Sequence, residues 1–366
     1  MRIGIDGHVL GKNIGGVERF VRELVQQLPT EAPEHEYIVF VTKTEFATLQ
    51  VTPNHIKGVQ YVPLAFANPL FERLILLPWL VYRYHLDALL IQRLAPWFCG
   101  RCKLIATIHD LTPIKFAQAY KGLSNNLVRA LTKNTIKRAS LILTPTLAIK
   151  AEVEAYCTNV KAPIVAFYNG VDVSVFNQDH LVTQLPIEKP YLLTVGAIEK
   201  RKNIETIFEM LSQLNDYPKL ELAIVGAIRD KGYFNELQVQ LKALGLTKRV
   251  HYMGFMSESA LINLYQNAAL FITASRDEGF NIPPLEAMAC GVPVVCSNIA
   301  VHLELFSNAA VFFNPNSADD LTDKIKSILD NTHTSQHLAT QGHKKIAEFS
   351  WQRTAKNVAG ALSLIE

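Results

Sequence analysis

The strongest constraint on the fold is a rhythm that runs along the 366 residues, stops once and starts again. Short runs rich in Val, Ile and Leu at 2–6, 37–42, 88–92, 103–108 and 141–144 alternate with segments long enough to be helices. After the break the rhythm resumes at 191–195, 220–225, 270–273 and 292–296. Runs that are apolar at consecutive positions have no polar face to show water, so they belong to parallel strands covered on both sides by helices. Segments 16–28, 123–138, 204–213, 234–244 and 257–266 read as helices, and 350–365 as a last helix anchored by Trp351. The break, residues 179–190 (DHLVTQLPIEKP), is polar, holds two prolines and keeps no period, which predicts a linker. The chain is also longer than one hydrophobic core usually supports. The expected fold class is α/β, with two doubly wound, Rossmann-like domains over 1–180 and 190–349. Ligands collect at the carboxyl ends of open parallel sheets, so two such domains facing each other would form a deep interdomain cleft.

Composition narrows the partners. With 49% hydrophobic and 19% charged residues this is an ordinary globular chain. A formal charge of +3 gives no ground for a nucleic-acid partner. The five cysteines, Cys99, Cys102, Cys157, Cys290 and Cys296, are odd in number and unevenly spaced, which predicts free thiols in a reducing compartment. Cys99 and Cys102 form a lone CxxC with no second ligand pair, so two incidental thiols are a simpler account than zinc or redox chemistry. No basic segment and apolar run precede the first strand, and the most apolar stretch, residues 74–82 (LILLPWLVY), is too short to span a bilayer. The expectation is a cytoplasmic protein.

Four stretches could carry chemistry, and all four are expected at strand ends. Residues 11–18 (GKNIGGVE) lie between the first strand and a helix. Gly15 and Gly16 would let the backbone approach a ligand, and the helix start offers unpaired N–H groups to an anion. A plain tight turn explains them equally well, because neither GxGxxG nor the GK[ST] of a P-loop is present. His109 ends the strand in LIATIHD; it points to the ligand side or is a half-buried core histidine. Residues 196–203 (GAIEKRKN) follow the first strand of the second domain, where Arg201 as a fork and Lys202 as a point charge suit a diphosphate; a solvated basic turn is the alternative. In SRDEGFNIPPLEAMACGVPVVCSN, Glu278 sits in a turn beside Gly279. Glu286 lies one turn inside a helix that Pro283 and Pro284 begin and Gly291 ends, where it could simply complement the helix dipole. Two acceptor-only carboxylates on adjoining elements suit a ligand with two separate sets of hydroxyls. A nucleotide sugar has hexose hydroxyls at one end, ribose hydroxyls at the other and a diphosphate between.

The stretch EGFNIPPLEAMACGVPVV resembles the E-x7-E signature of the retaining glycosyltransferases of family 4, which have the GT-B fold. Gly-Gly at 15–16, TIHD at 107–110, NGVD at 169–172, VGAIEKRKN at 195–203 and Trp351 follow in the family's order, over nearly the whole chain. The resemblance implies that Glu278 contacts the donor hexose together with the backbone of the Gly279–Phe280–Asn281–Ile282 turn. It implies that Glu286 accepts from the ribose hydroxyls, and that Arg201 and Lys202 bind the diphosphate beside Gly196. Gly15 and Gly16 would approach the phosphates from the first domain, and His109 would line the sugar pocket near the 6-hydroxyl. Phe255 and Met256 would lie against the base, and the helix within 350–366 would cross back to the first domain. Two positions depart from the family's pattern: Ala197 stands where many relatives have Arg, and Asn281 where many have Gly.

The resemblance thus implies an enzyme that moves a hexosyl group from a nucleoside-diphosphate sugar to an acceptor hydroxyl with retention, UDP-glucose or a related UDP-hexose ranking before GDP-mannose. No Asp-x-Asp occurs in the chain, so no divalent metal and no cofactor are expected. The acceptor is expected to be a saccharide or a lipid-linked saccharide. Between Leu111 and Ala151 there is no acidic residue, and Arg129, Lys133 and Lys137 are spaced to share one helix face, with Leu127 and Leu131 roughly opposite. Basic segment 115–138 would touch an anionic membrane, or is a solvated face. A non-catalytic two-lobed sugar-binding protein, or a same-fold sugar epimerase or phosphorylase, remains as an alternative that turnover would separate.

Overall fold

The computed structural model describes residues 1–12, 15–51, 56–64, 75–92, 94–115, 125–179, 186–188 and 190–366. Asn13 and Ile14 of the glycine loop, Leu74, Lys121, the first residues of the 123–138 segment and most of the predicted linker lie outside them. The chain forms two compact units, one of Met1–Gly170 with Trp351–Glu366, the other of Val171–Ser350. The division therefore falls at Gly170, ahead of the boundary expected at 180. Residues from Val171 are bonded into the second unit: Val171 N–H donates to Phe349 O (3.1 Å), and the Gln266 side chain donates to Asn177 O (2.6 Å).

The first unit is built on strands β1 (Arg2–Asp6), β2 (Glu36–Thr42), β3 (Val59–Leu64), β4 (Ala88–Gln92), β5 (Lys103–Thr107), β6 (Leu141–Thr144) and β7 (Ile164–Ala166). They lie in the order β3-β2-β1-β4-β5-β6-β7 and every pair is parallel. The chain winds outward from β1 to β3, then returns to β1's other side with β4. That reversal is a topological switch point, and right-handed crossovers put the two sets of helices on opposite faces there. Ile38, Phe40, Leu89, Ile91 and Leu104 fill one side of the sheet. The helix Trp351–Leu362 turns its buried residues Trp351, Ala355, Val358 and Leu362 onto the helix Gly16–Glu31. Thr354 Oγ1 and Asn357 Nδ2 fasten it to the carbonyls of Tyr168 (2.6 Å) and Phe167 (3.1 Å).

The second unit repeats the plan with β8 (Tyr191–Val195), β9 (Glu221–Val225), β10 (Val250–Gly254), β11 (Leu270–Thr273), β12 (Val294–Ser297) and β13 (Val311–Phe313), in the parallel order β10-β9-β8-β11-β12-β13. Its switch point lies between β8 and β11. Leu192, Leu222, Ile224, Leu270 and Ile272 pack with Phe208 and Leu211 of the helix Ile204–Gln213 into one core. All five cysteines are buried and unpaired, and burial pushes the Cys102 thiol up to about 12, with Cys99 and Asp87 adding to it. Such a thiol is inert, which fits the incidental account of the CxxC.

Candidate functional site

The loops on either side of the second switch point are tied together by charge. Leaving β8, Lys200–Lys202 make a single 3-10 turn, and Asn203, left-handed at φ 55°, starts the helix that comes next. A non-glycine residue holds that backbone only when its side chain is well bound. Here Asn203 Nδ2 donates to Ala274 O (3.0 Å) and Pro315 O (2.8 Å), and its Oδ1 accepts from Thr206 Oγ1 (2.9 Å). The basic turn is thereby fixed to the loop that leaves β11.

Glu278, 6% exposed, lies in that second loop. Its Oε2 accepts from Arg201 (2.6 Å), and its Oε1 from Lys202 (2.5 Å) and from Ser275 Oγ (2.7 Å). Arg201 also donates to Asp277 O (3.1 Å) and pairs with Glu199 (2.6 Å). Gly196, at φ 152°, is where Lys202 crosses the backbone: an added Cβ would lie 3.1 Å from Lys202 Cε. Arg201 and Lys202 thus face the carboxylates of Glu278 and Glu199. Burial alone would raise the Glu278 carboxyl, but Arg201, Lys202 and the Ser275 hydroxyl overcome it and hold the group far below the usual carboxylate range. Burial draws the Lys202 ammonium below its ordinary value, with Glu278 pulling the other way. Glu278 is thus a fixed anion. Of the three N–H donors on Lys202, one goes to Glu278.

Glu286 is buried on the short helix Pro283–Ala289, where Tyr265 Oη donates to its Oε2 (2.9 Å). Between the two glutamates the chain turns through Phe280, packed edge-on against Phe349, and Asn281, left-handed at φ 72°. Gly279 and Ile282 flank that turn. The second unit therefore brings together Gly196, Arg201, Lys202, the 278–282 turn and Glu286 around one switch point. Phe255 follows the edge strand β10 and stands 75% exposed, with Met256 half-buried beside it.

The family described as "Glycosyltransferase Family 4" matches residues 14–175, and that described as "Glycosyl transferases group 1" matches residues 176–345. The chain belongs to the family-4 glycosyltransferases. Among curated relatives of this glycosyltransferase, the O-antigen chain mannosyltransferase RfbU of Salmonella typhimurium is 29% identical over 70% of this chain and 72% of its own. The serotype-specific mannosyltransferase WbdA of Escherichia coli is 27% identical over 71% of this chain, which spans about a third (32%) of that longer protein. Among solved structures, sucrose-phosphate synthase from Thermosynechococcus elongatus superposes with a TM-score of 0.79 at 19% identity over 100% of this chain and 99% of its own. Anabaena Alr3699/HepE, solved with UDP-glucose, superposes at 0.76 and 19% identity over 99% of each. At such identities the likeness establishes the GT-B fold.

In the first unit the glycosyltransferase places its other sequence-read residues at the corresponding strand ends. Gly15, at φ 86°, precedes the helix Gly16–Glu31, and among the described residues nothing lies within 4 Å of an added Cβ. The loop is closed by a residue whose role sequence reasoning missed: Glu18, 7% exposed, accepts from Gly11 N–H (2.9 Å) and from Arg22 (3.0 Å). His109 follows β5, with Nε2 against Gln92 Oε1 (2.8 Å) and its ring edge-on to Phe20 at 5.2 Å. It is a half-buried, oriented histidine. Ser275, Asn203, Tyr265 and Glu199 also escaped the sequence reading. Only Asn203 left a local trace, an asparagine at a helix start.

Proposed function

We propose that the protein is a retaining hexosyltransferase that takes its sugar from a nucleoside diphosphate. The observation that carries this reading is the buried Glu278–Arg201–Lys202 cluster at the second switch point. It is a fixed carboxylate for sugar hydroxyls set against cations suited to a diphosphate. Glu286 is the acceptor for the ribose hydroxyls. In the reaction the anomeric C–O bond to the diphosphate breaks with its electron pair going to the phosphate oxygen. The acceptor oxygen bonds to the anomeric carbon on the same face, and its proton passes to the departing phosphate. Arg201 and Lys202 stabilise the leaving charge, the part a divalent ion plays elsewhere, so turnover is metal-independent. The two curated relatives named above are mannosyltransferases by name, which supports GDP-mannose over the UDP-hexose ranked first on the sequence.

The test is a thermal-shift and turnover panel of GDP-mannose, GDP-glucose, UDP-glucose and UDP-galactose, with EDTA present throughout. We expect one donor to stabilise the protein and to yield free nucleoside diphosphate and a glycosylated acceptor. Binding without turnover would favour the two-lobed binding protein, and an isomerised donor or a sugar phosphate the same-fold epimerase or phosphorylase. In Arg201→Ala or Lys202→Ala the rate should fall about a hundredfold to a thousandfold, as for loss of one donor to a developing oxyanion. Undiminished turnover would refute the assignment, and a covalent glycosyl adduct on Glu278 would refute same-face attack.

For the acceptor we infer a lipid-linked saccharide met at an anionic membrane. Arg129, Lys133 and Lys137 are exposed along the helix Asn125–Arg138. The expected apolar side differs: Leu127 is exposed, and Thr132, Thr135 and Ile136 are the buried residues. Part of the basic charge is engaged, since Lys115 pairs with Glu152 (2.5 Å) and Lys133 lies over the Tyr156 ring (5.3 Å). Exposed Trp79, Tyr82, Trp97 and Phe98 add side chains of the kind that settle at headgroup level. Among the described residues no helix is long and apolar enough to cross a membrane. Co-sedimentation with phosphatidylglycerol vesicles should drop in the triple variant Arg129→Glu/Lys133→Glu/Lys137→Glu; equal binding with neutral vesicles would remove this reading.

A further inference from the structure

Asn281 is an anomaly in its own loop. At φ 72° it holds a left-handed conformation that glycine adopts without cost. A loop that offered a ligand only its backbone N–H would be served better by glycine. Asn281 is instead clamped: Nδ2 donates one hydrogen to Thr273 Oγ1 (3.1 Å) and lies 2.9 Å from His302 Nε2. His302 is fully buried. Its Nδ1 lies 2.9 Å from Ser297 O, an acceptor only, so Nδ1 carries the proton and Nε2 is the acceptor for the second amide hydrogen. Both hydrogens of the Asn281 amide are thereby spent inward, and among the described residues its Oδ1 has no protein partner.

The clamp is continuous with the charged cluster. Ser297 Oγ donates to Ser275 O (2.5 Å), Ser275 Oγ donates to Glu278 Oε1 (2.7 Å), and Thr273 Oγ1 lies 3.3 Å from Ser275 Oγ. Every side chain in this ring, Thr273, Ser275, Glu278, Asn281, Ser297 and His302, is buried. Burial holds the imidazole well below its ordinary value, at about 4, so it stays a neutral acceptor at working pH. Protonation would turn Nε2 into a donor facing a donor and force the amide to flip.

Resting on the donor-sugar reading above, we propose that Asn281 is a specificity-determining residue for the donor hexose and that His302 is its positioning residue. His302 fixes which end of the amide faces the ligand, so that Oδ1 presents one acceptor to one hydroxyl of the sugar. A site built around such an acceptor discriminates between epimers that differ in whether a hydroxyl reaches it.

The experiment compares kcat/KM within same-base donor pairs, UDP-glucose against UDP-galactose and GDP-mannose against GDP-glucose, using the full chain. Asn281→Gly keeps the backbone N–H and relieves the left-handed strain. It should leave UDP or GDP binding within about threefold and lower the wild-type preference between epimers by roughly tenfold or more. His302→Leu should do the same, and His302→Gln, whose amide oxygen can still accept from Asn281, should restore the preference. An Asn281→Gly enzyme that binds nucleotide and keeps the wild-type preference overturns the proposal. So does a His302→Gln enzyme no more selective than Asn281→Gly. If His302→Leu does not fold, the other two variants decide. Wild-type protein that neither binds nor turns over any of the four donors overturns the underlying reading of the site, and this proposal with it.

Discussion

Glu18 and Glu278 invite comparison, because the two units solve the same local problem in different ways. Each is a buried glutamate that closes a loop leaving the central region of a parallel sheet. Glu18 binds Gly11 N–H and Arg22, whose side chain remains 39% exposed and which also pairs with Glu45 (3.2 Å). Glu278 binds Arg201 and Lys202, whose side chains are only 17% and 13% exposed. The first arrangement is a structural latch with its cation in contact with water. The second sequesters both charges, where desolvation is costly and each ion depends on the other. A fold needs only the first. Buried charge concentrated at one switch point is what supports the proposal that the second unit handles the donor's diphosphate.

The comparison is broken or sharpened first by taking the charge from each glutamate. Glu278→Gln leaves Arg201 and Lys202 with half their counter-charge removed, and should cost roughly 3–5 kcal/mol of stability, as for a broken buried ion pair. Glu18→Gln keeps an oxygen to accept from Gly11, and Arg22 keeps Glu45, so the expected cost is about 1 kcal/mol. Urea unfolding of the full chain measures both. Equal costs would show that the two loops are held in the same way.

The charged residues of the second loop were legible in the sequence, and their supports were not. Arg201, Lys202, Glu278 and Glu286 sit inside short motifs with their own turn signals. Ser275 had the wrong chemistry to attract notice, and Tyr265 and His302 come from other helices; only folding brings Tyr265 to Glu286 and His302 to Asn281. The fold shows the same split. The nine strands read from apolar runs are the interior ones, whereas β3, β7, β10 and β13, which were not read, are the four sheet edges. An edge strand is half covered, so its sequence need not be continuously apolar, and β3 even accommodates Pro63. Covered backbone left a pattern in the sequence; half-covered backbone and long-range hydrogen bonds did not.

A second contrast separates the units by pH. His302 is neutral in the folded second unit because burial outweighs the opposing pull of Glu278 and of its bond to Ser297, and it titrates at about 4. In the unfolded chain it titrates near its ordinary value of about 6.5. As pH falls from about 6.5 to about 4, the unfolded chain takes up a proton that the folded chain refuses, so stability declines, by on the order of 3 kcal/mol across the window. Above pH 6.5 the group contributes no slope. Glu278 adds its own loss only as pH falls below its unfolded value of about 4.3, so the upper part of the window isolates the histidine. Replacing His302 with Gln should flatten the decline between pH 6.5 and 4.5, read as the urea midpoint at each pH. An unchanged slope would place the proton uptake elsewhere.

The smallest effect separates the two glycines at the matching loops. Gly15 and Gly196 both have positive φ, so alanine strains the backbone at either position by about 1–2 kcal/mol. Among the described residues nothing lies within 4 Å of a new methyl at Gly15, so backbone strain is the expected cost and the latch at Glu18 is left intact. At Gly196 the methyl would press on Lys202 at 3.1 Å from Cε, and a displaced ammonium must loosen its bond to Glu278. Stability alone therefore distinguishes the two variants poorly, because Lys202 is flexible enough to yield. Binding of a nucleoside diphosphate should distinguish them well: Gly15→Ala should keep what affinity the second unit provides, and Gly196→Ala should lose about tenfold, the equivalent of one weakened charge-assisted hydrogen bond. If the two variants bind GDP and UDP alike, Lys202 is not held over Gly196 for a phosphate, and the cluster reverts to a structural ion pair.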